Sequence, residues 1–193
     1  MRGSLDFLWL ELLGRCNLAC VHCYASSGPE VDARSLPTER WRALLDEAFA
    51  LGCREVQLTG GEPTLHPDAG LLLDEAARIG FRTVELFTNA TTLDDAWVAR
   101  LASHGHRAAV SLYSHRAGVH DAVTRSPGSH LRTVRGIRRL VAAGVGVRVE
   151  VVALEANAGD LDETRAFIQD ALGVAATPKR DPVRPNGRGG ELR

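Results

Sequence analysis

Hydrophobic residues in this chain alternate between two patterns, and this alternation restricts the possible folds more than any other feature. Short runs rich in β-branched and aliphatic residues precede longer segments of helical period, and the pair repeats about every thirty residues. Successive βα units with a parallel sheet produce this pattern, and each short run has the length of a buried parallel strand. The five predicted strands are 7–13, 55–59, 83–88, 108–113 and 147–153.

The longer segments carry apolar stripes at helical spacing, which predicts helices packed on the sheet. One stripe contains Trp41, Leu44, Leu45, Ala48 and Phe49, and another contains Leu93, Trp97, Val98 and Leu101. A helix is predicted over 129–143. Another is predicted to begin at Asp160, with Glu163 completing a capping box, and to end at Gly173. A sixth strand is predicted over 174–179, where Pro178 weakens the pattern.

These elements predict an α/β fold in which right-handed crossovers curve the strands into a partial (β/α)6 TIM-like barrel with a parallel sheet. The chain of 193 residues is long enough for one such core, which we place at 1–180. Residues 181–193 are rich in Pro, Gly and Arg, and we expect an extended or poorly ordered tail there. The functional site is expected in the loops that follow the strands.

Charge and hydropathy exclude two classes of partner. The formal net charge is −1 and the pI is about 6.7, which gives no basic surface for nucleic acid or an anionic membrane. The apolar run at 7–13 is too short to span a bilayer and lacks a signal-peptide cleavage pattern. We therefore expect a cytoplasmic protein.

Three cysteines directly follow the first predicted strand. Cys16, Cys20 and Cys23 have Cys-x3-Cys-x2-Cys spacing, which suits three corners of a cubane cluster and leaves the fourth iron open for a small molecule. The alternative is a zinc site that recruits Cys53 or His22 as a fourth ligand. Cys53 precedes the second strand, so it should lie at the opposite end of the barrel as a buried small hydrophobe. His22 is expected to pack beside the cluster or to hydrogen-bond to a sulfur.

Together with the following Tyr24, this cysteine loop resembles the signature loop of the radical SAM superfamily. The resemblance implies a [4Fe-4S] cluster whose open iron binds S-adenosyl-L-methionine. It also implies reductive cleavage of that cofactor to a 5′-deoxyadenosyl radical, with the cofactors supplying the difficult chemistry. A low-potential electron donor of the flavodoxin or ferredoxin type is implied by the same resemblance.

A Gly-Gly-Glu-Pro sequence at 60–63 follows the second predicted strand and resembles the family's motif for the methionine part of S-adenosylmethionine. Paired glycines allow close backbone approach, and a carboxylate accepts hydrogen bonds from an amino group. For Arg148, an inward position beside a carboxylate and an outer-face position both stay open. Glu11, in the first strand, is expected to be a buried carboxylate with a partner. The predicted cofactor-binding residues are Tyr24, Gly60, Gly61, Glu62, Asn89, Ser111 and Arg148.

The stretches 111–115, 120–133 and 184–189 are similar to bacterial radical SAM maturases of ribosomally made peptides, which implies a precursor peptide as substrate. His115, His120 and His130 lie within them, and they either face the substrate as acids or bases or make local hydrogen bonds. No cysteine follows Cys53, so auxiliary clusters are not supported. The alternative function is a truncated or non-catalytic core that binds a cluster without turnover.

Overall fold

Each strand of the sheet pairs in parallel with the next strand along the chain. In the computed structural model, which describes residues 5–192, six strands form one sheet in the order β1-β2-β3-β4-β5-β6 and curve into a half-barrel. This confirms the predicted partial barrel. The strands are β1 (Leu8–Glu11), β2 (Glu55–Thr59), β3 (Thr83–Thr88), β4 (Arg107–Ser111), β5 (Gly146–Ala153) and β6 (Lys179–Pro182).

The prediction of the sixth strand at 174–179 was wrong. The strand is Lys179–Pro182, and its charged residues are half-buried or exposed because it has only β5 as a neighbour. Val174, which the prediction used as strand core, instead packs with Ile168 and Leu172 in the hydrophobic core. An edge strand of this composition lacks the apolar run that identified the other five.

Two of the helices occupy the segments that the two apolar stripes predicted, and both stripes pack against the core. Five are regular: α1 (Thr38–Ala50), α2 (Ala69–Ile79), α3 (Asp95–Ser103), α4 (Ala117–Thr124) and α5 (Ser129–Ala142). The sixth, α6 (Leu161–Ala166), continues as a π-helical turn over Phe167–Ala171. Its predicted capping box is absent, because the Asp160 carboxylate binds Ser114 and Arg116 instead.

Three short 3-10 helices complete the described chain: Pro63–Leu65, Glu155–Asp160 and Gly187–Glu191. The last of these corrects the expectation of an extended or poorly ordered tail, because the segment folds back onto the cysteine loop. Within residues 5–192, no helix combines the length and apolar character needed to cross a bilayer.

The two faces of the curved sheet differ in chemistry. The face packed against the helices is aliphatic, whereas the inner face carries a row of polar side chains from β2, β3, β5 and β6. Gln57 donates to Glu85, Glu85 and Glu150 both pair with Arg148, and Lys179 lies 4.0 Å from Glu150. Each buried charge therefore has a partner, as burial requires. This row forms part of the interior beneath the carboxyl ends of the strands.

Candidate functional site

A cleft opens at the carboxyl ends of the strands. This is the end of a parallel sheet where ligand sites are generally built. All three cysteines of the predicted loop line the cleft, together with most of the other predicted site residues. The predicted residues in its wall are Cys16, Cys20, Cys23, Tyr24, Gly60, Gly61, Asn89 and Ser111.

The backbone of the cysteine loop lies directly against the turn after β2. The Gly61 N–H donates to the Leu13 carbonyl at 2.7 Å, and the Glu62 N–H donates to the Arg15 carbonyl at 2.9 Å. A Cβ at Gly60, where φ is +139°, would lie 2.6 Å from the Leu13 carbonyl oxygen, and one at Gly61 would overlap the Arg15 carbonyl. Only glycine permits this approach, so the two motifs form one unit.

The three loop cysteines are free thiols whose environment suits metal binding. Burial raises the pKa of Cys16 to about 12 and that of Cys20 to about 11. Such thiols stay protonated at neutral pH unless a metal holds them as thiolates. The charges of Cys20 and Cys23 also raise the pKa of Cys16, which indicates that the three groups lie near one another.

The spacing of these sulfurs distinguishes a cluster from a single zinc ion. Among the described residues, only Asp74, His104 and His106 form a triad with all ligand atoms within 4.8 Å, so at least one pair of the cysteine sulfurs is farther apart than that. A zinc ion with bonds of about 2.3 Å would hold its sulfurs about 3.8 Å apart. A cubane, in which each cysteine binds a different iron, needs wider spacing. The loop therefore fits a [4Fe-4S] cluster better than zinc.

Of the two additional zinc ligands considered from the sequence, Cys53 lies away from the cysteine loop, whereas His22 lies within it. Cys53 is fully buried in the hydrophobic core before β2, where its thiol contacts the Glu55 carbonyl at 3.2 Å. That position confirms it as a buried small hydrophobe. His22 lies in the wall of the cleft, with its ring edge-on to Tyr113 at a centroid distance of 4.7 Å.

Glu62 lies beneath the motif and not in the wall of the cleft. Its fully buried carboxylate accepts hydrogen bonds from the Thr88 hydroxyl at 2.7 Å, the Asn89 N–H at 2.8 Å and both donors of Thr64. Burial raises the pKa of Glu62, and these donors oppose that shift. The carboxylate thus fixes the end of β3 relative to the motif, which leaves the two glycines facing the cleft.

Asn89 connects that anchor to the cysteine loop. Its side-chain amide lies 3.8 Å from the Cys16 sulfur and donates to Oδ1 of the Asn17 side chain at 2.9 Å. Asn17 in turn donates to the Thr91 hydroxyl at 2.7 Å. The end of β3 is therefore fixed both to the Gly-Gly-Glu-Pro motif and to the first cysteine.

Tyr24 stands at the mouth of the cleft beside the first strand. Its hydroxyl donates to the Glu11 carboxylate at 2.5 Å, and its ring lies 4.9 Å from the Arg184 guanidinium, which also contacts Trp9. Glu11 is exposed, so the expectation of a buried carboxylate was wrong, although it does have a partner. Two apolar rings and a cation thus border the opening.

Arg148 points to the inner face of the sheet, as one of the two alternatives predicted. Its guanidinium donates to Glu85 at 2.8 Å and pairs with Glu150, whose side chain lines the cleft. Arg148 therefore positions Glu150. The other carboxylate oxygen of Glu150, Oε2, is buried without a hydrogen-bond partner in the described part of the chain.

Comparison with known proteins identifies the family. Residues 10–168 match the family model described as "Radical SAM superfamily". The chain belongs to the radical SAM superfamily.

Two relatives of this radical SAM chain are named as a maturase and as a bacteriocin biosynthesis protein. It is 37% identical over 186 residues to mycofactocin maturase MftC of Mycobacterium tuberculosis (strain CDC 1551 / Oshkosh), covering 94% of this chain and 46% of that protein. It is 32% identical over 168 residues to the antilisterial bacteriocin subtilosin biosynthesis protein AlbA of Bacillus subtilis (strain 168), covering 86% of this chain and 37% of that protein. The chain thus spans less than half the length of these relatives.

Solved structures show the same radical SAM fold. Streptococcus suis SuiB bound to precursor peptide SuiA superposes with a TM-score of 0.82 at 19% identity, covering 94% of this chain and 40% of that one. The protein anSMEcpe with bound AdoMet superposes with a TM-score of 0.77 at 17% identity, covering 94% of this chain and 50% of that one. These similarities establish the fold.

The three histidines of the maturase-like stretches lie outside the wall of the radical SAM cleft. His120 is buried and its Nδ1 accepts the Tyr113 N–H at 3.2 Å, while the His115 N–H donates to Thr164 at 3.0 Å. His130 packs edge-on against His120. Local contacts therefore account for these residues better than a substrate-facing role.

Sequence reasoning missed one residue that contacts the cysteine loop from far along the chain. Arg188 donates to the Cys20 carbonyl at 2.8 Å and to the Ser27 carbonyl at 2.6 Å, and its own N–H donates to the Cys23 carbonyl. The stretch 184–189 was noted only for its similarity to maturases. No local pattern predicts a contact across more than 160 residues.

Proposed function

We propose that this chain is the S-adenosylmethionine-cleaving core of a radical SAM enzyme that modifies a ribosomally made precursor peptide. One observation carries the proposal: the cysteine loop after β1 and the Gly-Gly-Glu-Pro turn after β2 are joined by backbone hydrogen bonds and line one cleft. When bound, a [4Fe-4S] cluster and S-adenosylmethionine would supply reductive cleavage to a 5′-deoxyadenosyl radical.

Different residues of the cleft would bind the cluster and S-adenosylmethionine. Cys16, Cys20 and Cys23 would hold the cluster and leave one iron open. Gly60 and Gly61 bring backbone atoms to the wall, where the methionine part of S-adenosylmethionine would lie beside the open iron. Glu62 acts indirectly in this proposal, because its carboxylate is engaged by Thr64, Thr88 and Asn89.

The outer wall of the cleft offers the remaining contacts. Tyr24, Asn89 and Ser111 all face the cleft and supply hydroxyl and amide groups for the adenosine part of the cofactor or for the substrate. Arg148 contributes through Glu150, whose unpartnered oxygen can accept a hydrogen bond from a bound ligand. Trp9, near the opening, adds an apolar surface for an incoming side chain.

The peptide substrate is supported by the relatives and not by a feature of the cleft alone. The matched relatives include a mycofactocin maturase and a subtilosin biosynthesis protein, and SuiB has the same fold in a structure with its precursor peptide. We further propose a low-potential donor of the flavodoxin or ferredoxin type and a cytoplasmic location. Coexpression with a short peptide encoded beside this chain should change the mass of that peptide.

Cluster binding is tested by comparing two cysteines at opposite ends of the barrel. Cys20→Ala should lose most of its iron and sulfide after anaerobic reconstitution, because two remaining thiolates cannot hold a site-differentiated cubane. Cys53→Ala is the matched control, since Cys53 is a core residue away from the cleft, and it should load like the wild type. Full loading of Cys20→Ala would contradict the proposed ligand set.

A further inference from the structure

A second group of metal-ligating side chains lies away from the cleft. Asp74 belongs to α2, His104 directly follows α3, and His106 directly precedes β4. Because His106 stands at the amino end of its strand, this group lies at the end of the sheet opposite the cysteine loop. Its members come from three elements, so their convergence results from tertiary packing and not from local sequence.

The distances among these side chains suit a shared metal ion better than direct hydrogen bonds. Asp74 Oδ1 lies 3.6 Å from His106 Nε2 and 3.8 Å from His104 Nδ1, and all three ligand atoms lie within 4.8 Å of one another. Such separations are too long for good hydrogen bonds. Ligand atoms about 2.0–2.1 Å from a tetrahedral zinc ion lie about 3.3 Å apart, so small side-chain shifts would complete the site.

Two of these atoms are buried and lack any other partner. The His106 side chain is 1% exposed, and neither its Nε2 nor Asp74 Oδ1 has a hydrogen-bond partner among the described residues. Buried polar atoms are almost always paired, so two unpaired atoms facing each other indicate a missing ligand. Burial also lowers the pKa of His106, which keeps the ring in the neutral form that binds metals.

We propose that Asp74, His104 and His106 form a binding site for a divalent transition metal, with Zn²⁺ as the ion it fits best. Two imidazoles and one carboxylate are ligands that Zn²⁺ accepts, whereas Mg²⁺ and Ca²⁺ prefer oxygen ligands alone. Because the His104 side chain is half-exposed, the fourth coordination position of the ion would be open to solvent. The ion would tie α2 and the end of α3 to the start of β4.

The positive charge of Arg100 should lower the affinity of this site for a metal ion. Its guanidinium pairs with Asp74 Oδ2, which leaves Oδ1 for the metal but places a positive charge beside it. His104 Nδ1 also lies 3.0 Å from the Ser103 hydroxyl and 3.2 Å from the Arg100 carbonyl oxygen, and metal binding would replace both contacts. Removing the Arg100 charge should therefore tighten metal binding, whereas a merely structural triad predicts no such gain.

The test is a zinc titration of the cluster-loaded chain, measured by calorimetry and by metal content after gel filtration. The wild type should bind one Zn²⁺ that His104→Gln and His106→Gln bind at least about tenfold more weakly. Arg100→Gln should bind it several-fold more tightly. His115→Gln is the matched control, because this histidine lies near the opposite end of the sheet and bonds to Thr164.

The comparison between variants separates this site from the cysteine loop. Any Zn²⁺ taken by cysteines is common to the wild type and His104→Gln, so only their difference reports the triad, whether or not the cluster loads. His104 is partly exposed after the helix, so its substitution should leave the fold intact, with the melting temperature as a check. Equal zinc binding by the wild type, His104→Gln and His106→Gln would overturn the proposal.

Discussion

At the scale of single residues, the two motif glycines serve the protein's own backbone as well as a ligand. A Cβ at either position would meet the main chain of residues 13–15, which leads into the first cysteine. The family resemblance attributes these glycines to cofactor binding. In the structure they let the cysteine loop approach the turn after β2, so the proposed cluster and cofactor sites would share one contact.

Gly61→Ala should therefore disturb cluster binding even though Gly61 is not a cluster ligand. Its new methyl group would overlap the Arg15 carbonyl, and the displaced loop should load less iron and bind S-adenosylmethionine more weakly. Gly118→Ala in α4 is the control, since a Cβ there meets nothing within 4 Å. Iron content and cofactor affinity measured side by side check this, and wild-type values for Gly61→Ala would refute it.

Residues whose positions in the cleft follow from local spacing were predicted correctly from the sequence. The positions of residues that depend on distant partners were not. The cysteines and glycines follow strands directly, so topology alone brings them together. Glu62 was predicted to face the cofactor, but its orientation depends on donors from β3 and the following loop. Glu11 was expected to be buried, yet the first strand is an edge strand and leaves it exposed.

At the scale of elements, the short helix Gly187–Glu191 acts as a cover on the cysteine loop. The Arg188 side chain donates hydrogen bonds to two loop carbonyls, and a Cβ at Gly187 would overlap the Tyr24 carbonyl. The segment therefore packs closely against the cysteine loop. Local stability of such a loop depends on few contacts. Loss of this cover should let the loop open more often.

Arg188→Ala should load a cluster but lose its iron to a chelator several-fold faster than the wild type, because two hydrogen bonds to the loop backbone disappear. Arg180→Ala supplies the control, since Arg180 is an exposed residue of β6. The rate of iron release under anaerobic conditions is the measurement. Identical rates for the two variants would show that the segment does not restrain the loop.

Helices α1 and α2 are joined by a carboxylate shared between two arginines. Glu75 accepts from Arg42 at 3.0 Å and from Arg78 at 2.7 Å, and these hydrogen bonds lower its pKa from 4.5 to about 2. A lowered pKa means that the ionised form stabilises the fold. That contribution is complete above about pH 4.5 and is lost as the pH falls toward 2.

Glu75→Gln should lower the melting temperature at pH 7 by about 2–4 °C, a modest effect because both arginines are largely exposed and screened. The difference from the wild type should shrink as the pH falls below about 4.5. Glu47→Gln, at an exposed position of α1, should change little at any pH. A difference for Glu75→Gln that stays constant down to pH 3 would contradict the assigned ion pairs.

The elements predicted from sequence were those with a regular apolar pattern. Five strands were predicted because buried parallel strands are continuous apolar runs, whereas helices α2 and α4 were not predicted. The sixth strand consists of Lys-Arg-Asp-Pro and pairs only with β5, so its pairing depends on the sheet edge and not on its own residues. The 3-10 helix Gly187–Glu191 was not predicted for the same reason, since its stabilising contacts are with the distant cysteine loop.

At the scale of the whole molecule, the curved sheet separates two kinds of metal chemistry. The carboxyl ends of the strands carry the thiol loop and the cleft, while the proposed imidazole and carboxylate site lies at the amino end of β4. A row of paired polar side chains covers the inner face between the strands. The cleft is thus built from the loops at the carboxyl ends of the strands and from strand residues such as Ser111 and Glu150.

The most direct test of the central claim is production of 5′-deoxyadenosine. The reconstituted wild type and Cys53→Ala should both form it from S-adenosylmethionine after reduction with dithionite, whereas Cys20→Ala should not. That result would establish the cysteine loop as the site of reductive cleavage. A wild-type protein with a fully loaded cluster and no 5′-deoxyadenosine would contradict the claim and favour a non-catalytic core.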